Sequence, residues 1–566
     1  MNLHAAILCL AAAALVAPAQ AQTDRKVKTT FQTSREWRPT IDNRADAVMV
    51  YGVGGNPSDK DGNRNFEYRV RSWRDRGYTV HFMTGIAWGE YKDYFTGEWD
   101  GRPHLDEGQV QRSGDTIWHG HLVPYIVPTD NYLTYMKERH VKRVIDAGID
   151  AIFMEEPEFW ARAGYSEAFK REWKKYYGTE WRPQHESPEN TYLANKLKYQ
   201  LYYNALREVF TFAKEYGRSK GMDVKCYVPT HSLVNYSQWQ IVSPEASLAS
   251  LPCVDGYIAQ VWTGTSREPN YYDGRLRERV FETAYLEYGS MESMTAPTGR
   301  KMFFLTDPIE DWPRDWADYK RNYQATFTAQ LLYPNIADYE VMPWPERIYE
   351  GLYRTSPDSE SKERIPRHYS TQMQVMINTL NDMPATRTKV SGSGGIGILM
   401  ANSLMFQRFP THDGYEDPQL ANFYGQAPAA AQARRARENG PHREPRLPRG
   451  AGRHEGAADV LLEHEAARSR GARTPRRMGA PGRRAGLQRP RRRPVPARRG
   501  VVEPERERIR GPVGPPLRTA GHRLRPRGRG VCLREGHGLH PAQRPEGVRS
   551  RERRRRPAGR NGQAAL

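Results

Sequence analysis

Three carboxylates crowd one short stretch of this chain, Ile152-Phe-Met-Glu155-Glu156-Pro157-Glu158-Phe159-Trp160, where an apolar run gives way to acid, proline and two aromatic rings. Like charges so close repel, and apolar neighbours strip them of water. Both effects raise a carboxyl pKa toward the range a general acid needs. A second acidic stretch, Phe303-Phe304-Leu305-Thr306-Asp307-Pro308-Ile309-Glu310-Asp311-Trp312, ends another apolar run. Cleavage of a glycosidic bond requires such a pair: one acid to protonate the leaving oxygen, and one carboxylate across the sugar as nucleophile or base. Glu156 is the expected acid, with Glu158 its rival. At least one of Glu155 and Glu158 is expected to be a solvated loop charge. Asp307 is the expected nucleophile or base and Glu310 the next candidate, although Asp307-Pro308 also reads as the start of a turn. Glu340, in Asp338-Tyr-Glu-Val-Met342, is a further carboxylate candidate, one that sits deep in its run.

Around these acids stand residues suited to a neutral, polyhydroxylated ligand: Trp88, Glu90 and Tyr91, then Tyr125, His231, Gln260, Trp262 and Trp344. Indoles stack on sugar faces, and the interspersed polar groups bond hydroxyls. Carbohydrate is therefore the expected partner. His119-Gly-His121 could offer two imidazoles to a metal, but it precedes an apolar run instead of following one, at the wrong end of a strand. It reads as loop packing, and neither metal nor cofactor is expected.

The elements that would position these groups alternate along residues 40–350. Eight apolar runs read as strands: Ala47–Val53, Thr79–Ile86, Leu122–Val127, Ala151–Glu156, Val224–Pro229, Gly256–Trp262, Lys301–Thr306 and Ala337–Met342. Between them, Tyr132–Ala147, Tyr192–Tyr216, Arg275–Tyr288 and Trp316–Tyr333 repeat apolar residues at helical spacing. This predicts an α/β protein built as a (β/α)₈ TIM barrel over 22–350, with an open doubly wound sheet as the alternative. The polar residues that follow the strands favour the barrel, whose catalytic groups sit at strand C-termini.

Residues 1–21 read as a signal peptide, an apolar run ending in Ala19-Gln20-Ala21; the expected location is secreted or periplasmic. Residues 351–390 read as a connecting region. Residues 391–427 read as the opening of a second α/β domain, with a strand from Gly395 and a helix over Pro418–Tyr424. Gly392-Ser-Gly-Gly-Ile-Gly397 matches a dinucleotide fingerprint in letters only, because it precedes a strand.

The formal charge of +20 belongs to one segment. Residues 428–566 hold 37 arginines, no lysine and 12 acidic residues, a surplus of 25, which leaves the first 427 residues at −5. That segment has no Phe, Tyr or Trp and cannot bury enough apolar surface to fold. Its Arg, Pro, Gly and Ala content reads as a GC-rich gene translated out of frame. It is expected to be a disordered tail, not a nucleic-acid-binding element. No run is long enough to span a membrane. Of four cysteines, only Cys226 and Cys253 lie in the folded part, either paired or as buried thiols.

Pro157-Glu158-Phe159-Trp160, Gly164-Tyr165-Ser166, Phe169-Lys170, Trp173 and Tyr176-Tyr177-Gly178 resemble the segment after strand four in glycoside hydrolase clan A, and are most similar to family forty-two, the thermophile-type β-galactosidases. The resemblance implies an Asn-Glu acid/base motif, here replaced by Glu155-Glu156 or Pro157-Glu158. It also implies a glutamate nucleophile ending strand seven, where this chain offers Asp307 and Glu310. It implies a flavodoxin-like or amidotransferase-like second domain used in trimerisation, of which 391–427 is a truncated start, so this chain is expected to be monomeric. The expected function is a secreted glycoside hydrolase. The alternatives are a catalytically silent carbohydrate-binding barrel and a metal-dependent hydrolase using His119 and His121.

Overall fold

The computed structural model describes residues 27–54, 65–267, 269–272, 275–309, 314–386, 399–401, 406 and 459–461. Glu310, the expected leader at 1–21 and most of 391–566 lie outside the described residues.

Nine parallel strands form one sheet. They are β1 (Thr29–Thr30), β2 (Gln32–Thr33), β3 (Ala47–Tyr51), β4 (Thr79–Gly85), β5 (Ala151–Glu155), β6 (Lys225–Thr230), β7 (Gly256–Val261), β8 (Lys301–Thr306) and β9 (Tyr339–Val341). The sheet order is β1-β9-β8-β7-β6-β5-β4-β3-β2. Because β1 and β2 are one chain segment interrupted only at Phe31, pairing to β9 on one side and to β3 on the other, the sheet closes on itself. Closure settles the choice between barrel and open sheet in favour of the barrel.

One expected strand is wrong and one was missed. Leu122–Val127 does not enter the barrel; only Val123–Pro124 is strand, in a small antiparallel hairpin with Trp118–Gly120. Pro124 cannot donate to a ladder, which keeps this segment out of the sheet interior. Its place is taken by Thr29–Thr33, whose composition, Thr-Thr-Phe-Gln-Thr, carries little apolar signal.

Side chains alternate along each strand. Met49, Tyr51, Met83, Ala151, Phe153, Tyr227, Ile258, Phe303 and Leu305 fill the barrel interior. Val48, Val50, Val80, Phe82, Ile152, Met154, Val228, Tyr257 and Phe304 belong to the layer between sheet and helices. Burial on both faces explains why the strands read as continuous apolar runs.

The helices begin where the chain supplies caps. Asn65 caps α1 (Phe66–Arg74), its side chain accepting from Tyr68 N–H. Ser187 caps α2 (Pro188–Ser219), with Pro188 in the first turn. Asp315 caps α3 (Trp316–Leu331), accepting from the amides of Ala317 and Asp318. Beyond the last strand, α4 (Arg367–Asp382) buries Tyr369, Met373, Ile377 and Leu380, and Tyr369 donates to the Pro308 carbonyl at 3.1 Å. Leu399–Ala401 pairs antiparallel with Asp459–Leu461. Cys226 and Cys253 are buried free thiols.

Candidate active site at the strand C-termini

The alternation that builds the core also points acids inward. On β5, Ala151 and Phe153 face the interior, so Glu155 follows them, 2 % exposed. Gln260 of β7 donates from Nε2 to Glu155 Oε2 at 2.9 Å. Burial first, then the charge of Glu156, pushes the Glu155 carboxyl up to about 8. On β9, Tyr339 and Val341 pack outward and Glu340 inward, almost fully buried. Burial, then the charges of Glu155 and Asp307, hold Glu340 well above the usual carboxylate range. Gln32 of β2 beside it acts in the opposite sense. Asp307, the residue after β8, is fully buried, and its Oδ1 accepts from Ile309 N–H at 3.2 Å.

Glu156 takes the first step off β5. Its φ is +52°, a left-handed conformation that costs a non-glycine residue roughly 1–3 kcal/mol, and its amide donates to the Pro229 carbonyl of β6 at 2.9 Å. Trp88 Nε1–H donates to Oε2 at 2.9 Å, and His231 Nε2 lies 3.2 Å from Oε1. Met342 and Trp344, just past β9, also have positive φ, 49° and 55°.

Both Glu155 and Glu158 are buried, which corrects the expectation that one of them is a solvated loop charge. Gln109 clamps this segment: its Nε2 donates to the Glu158 carbonyl at 2.9 Å and its Oε1 accepts from Trp160 N–H at 3.0 Å. Burial, then the charge of Glu156, raises the Glu158 carboxyl well above its ordinary value. Tyr125 is buried alongside; burial and the charges of Glu158 and Glu156 hold its hydroxyl protonated.

Trp88, Trp262 and Trp344, each half-buried, pack on the interior cluster, and Tyr51 of β3 joins Trp88 to Trp344, with ring centroids 6.3 and 4.9 Å away. Glu90 lies against the backbone of Gly52, whose φ is +65°; a Cβ there would come within 2.5 Å of Glu90 Oε2. Tyr91 is core rather than site: it is fully buried and its hydroxyl donates to the Gly85 carbonyl.

His119 is not at the far end of the barrel. Its ring stacks on Trp88, centroids 3.8 Å apart, which brings it to the mouth as loop packing. Neither it nor the exposed His121 joins a metal-ligating group. Among the described residues, the three side chains whose ligand atoms converge closely enough for an ion are Glu156, Glu158 and His231.

Tyr51, Gln32 and Gln109 were missed in the sequence. Tyr51 ends β3 but lies inside the expected strand Ala47–Val53, so the strand-exit rule passes over it. Gln32 was missed because its strand went unread, and Gln109 lies in a loop without local signal.

No protein-family description matches the chain, and neither does any curated protein. Solved structures with a similar course include the PgaB (BpsB) glycoside hydrolase domain of Bordetella bronchiseptica, at 10 % identity and TM-score 0.42, covering 64 % of this chain and all of that one. The β-galactosidase of Halorubrum lacusprofundi is similar at 11 % identity and TM-score 0.42, over 65 % of this chain and 60 % of that one. The β-galactosidase of Marinomonas ef1 is similar at 10 % identity and TM-score 0.40, over 69 % of this chain and 66 % of that one. The chain thus spans less than two thirds of the length of these β-galactosidases.

Proposed function

We propose that this chain is an exported glycoside hydrolase that cleaves its substrate with paired carboxylates. The observation that carries the reading is the convergence of Glu155, Glu156, Glu158, Asp307 and Glu340 at one end of a closed barrel, beside three half-buried indoles. Glu156 is the proton donor: it is the least enclosed of the three acids at the end of β5, Trp88 Nε1–H donates to its Oε2, and His231 Nε2 lies 3.2 Å from its Oε1. Glu158 remains its rival. Asp307 is the nucleophile or base, because burial and the neighbouring negative charges disfavour the ionised form of Glu340. Glu310 keeps the second claim to that role. Trp88, Trp262 and Trp344 stack on sugar rings, with Gln260, Tyr125, Glu90 and His231 oriented toward the same mouth.

One observation favours a silent carbohydrate-binding barrel. Asp307 Oδ1 is engaged by its own loop through Ile309 N–H, as in a turn.

The deciding experiment is a screen of purified protein against nitrophenyl glycosides and polysaccharides, with Asp307→Asn in parallel. Hydrolysis that disappears in the variant while calorimetric binding persists supports the glycosidase. Binding without hydrolysis in the parent chain supports the silent barrel. A protein that neither binds nor cleaves any glycan overturns both.

A further inference from the structure

The two nitrogens of His231 have different surroundings. Nδ1 lies 2.9 Å from the Gln260 carbonyl oxygen. That oxygen can only accept, so Nδ1 carries a hydrogen, and in the neutral ring Nε2 presents its lone pair. The lone pair meets another acceptor, Glu156 Oε1, at 3.2 Å. Glu158 completes the group: one ligand atom from each of the three residues lies within 4.8 Å of the others. The further charges that act on Glu158 come from Glu155 and Glu245, both negative.

We propose that Glu156, Glu158 and His231 form a binding site for a divalent transition-metal ion of the zinc type. An imidazole whose far nitrogen donates to a backbone carbonyl is oriented as metal-ligating histidines are. One nitrogen and two carboxylates make a mixed donor set that zinc accepts at about 2.0–2.2 Å. Two ligands at that distance from a tetrahedral ion stand roughly 3.3 Å apart, close to the spacing between His231 and Glu156. Calcium, at about 2.3–2.6 Å with six to eight oxygens, fits this nitrogen-containing trio poorly. Three protein ligands leave a fourth position for water or a substrate hydroxyl.

The binding claim is independent of the glycosidase reading; its consequence for turnover rests on that reading. Glu156 cannot hold an ion and deliver a proton at once, so occupancy suppresses cleavage.

The test uses the full chain, stripped with a chelator and titrated with Zn²⁺ by calorimetry and with Co²⁺ by visible absorption. The expected result is one ion per chain, a tetrahedral Co²⁺ band, and a melting temperature raised by Zn²⁺. His231→Ala and Glu158→Gln should each weaken binding by roughly 100-fold or more, beyond the 10–100-fold typical of a lost supporting contact. Both variants should abolish the melting shift while melting cooperatively without metal. Absence of saturable binding overturns the proposal, as does equal binding by both variants. An ion that binds to a protein inactive with and without it leaves the site standing and removes the glycosidase reading. An enzyme whose turnover and melting ignore Zn²⁺ does the reverse.

Discussion

Trp88 lies flat on His119, the planes 9° apart, while its Nε1–H donates to Glu156. A hairpin histidine thus stacks on the ring that donates to Glu156. Trp88→Phe preserves an aromatic face and removes the donor. A hydrogen bond contributes about 0.5–1.5 kcal/mol, so kcat/KM should fall roughly 2- to 10-fold, with a melting temperature near the parent's. His119→Ala should have a smaller effect. Equal losses in both variants would show that the stack, not the hydrogen bond, is what matters.

Glu156→Gln keeps the shape of the side chain and removes the proton. General acid catalysis contributes roughly 10²–10⁴-fold, and that loss is expected in kcat, with sugar binding retained. Glu158→Gln is the control. If it loses more turnover than Glu156→Gln, the acid role passes to Glu158.

How much of this was legible follows from which residues announce themselves. Seven of the eight barrel positions were readable because their strands are buried on both faces, as in Ala47–Tyr51 and Lys301–Thr306. The eighth was not, because Thr30 and Gln32 face a polar part of the interior and only Phe31 faces the apolar layer. The acids were readable as strand exits. Their burial was not, because it depends on Gln109, a residue 49 positions from the one it clamps. The position of His119 was misjudged because the hairpin that carries it was taken for a barrel strand.

Glu245 is buried, and burial pushes its carboxyl up to about 7 from a usual 4.5, with Thr230 Oγ1 donating to Oε1 at 3.1 Å. A folded-state pKa above the unfolded one gives stability that is complete below pH 4.5 and lost as pH rises through 7. The shift corresponds to about 3 kcal/mol. Glu245→Gln does not ionise, so its melting temperature relative to the parent should rise between pH 5 and pH 8. Thermal melts across that window check this, and a difference that stays flat with pH would place the titration elsewhere.

The loop that carries Glu156 and Glu158 is anchored from behind by a buried ammonium. Lys198 of α2 donates to the Ala161 carbonyl at 2.7 Å, to Gln184 Oε1 at 2.7 Å and to Asn195 Oδ1 at 2.8 Å. None of these partners is a carboxylate, and burial lowers its pKa well below the ordinary value. Lys198→Met would fill the space and take the donor from Gln184 Oε1, at a cost of about 1–3 kcal/mol, while the Ala161 carbonyl keeps Gln184 Nε2 at 3.1 Å, so a loss of about 1–3 kcal/mol is expected in denaturant melts. Gly164 is the matching test from the loop side. Its φ is +121°, and a Cβ there would stand 3.2 Å from Gln184 Oε1 and 3.3 Å from Lys198 Cε. Gly164→Ala should therefore destabilise the fold through backbone strain. If the anchor positions the acids, both variants should lower kcat more than they raise KM at temperatures where they remain folded. If either loses stability with kcat unchanged, the anchor supports the fold alone and leaves the acids where they are.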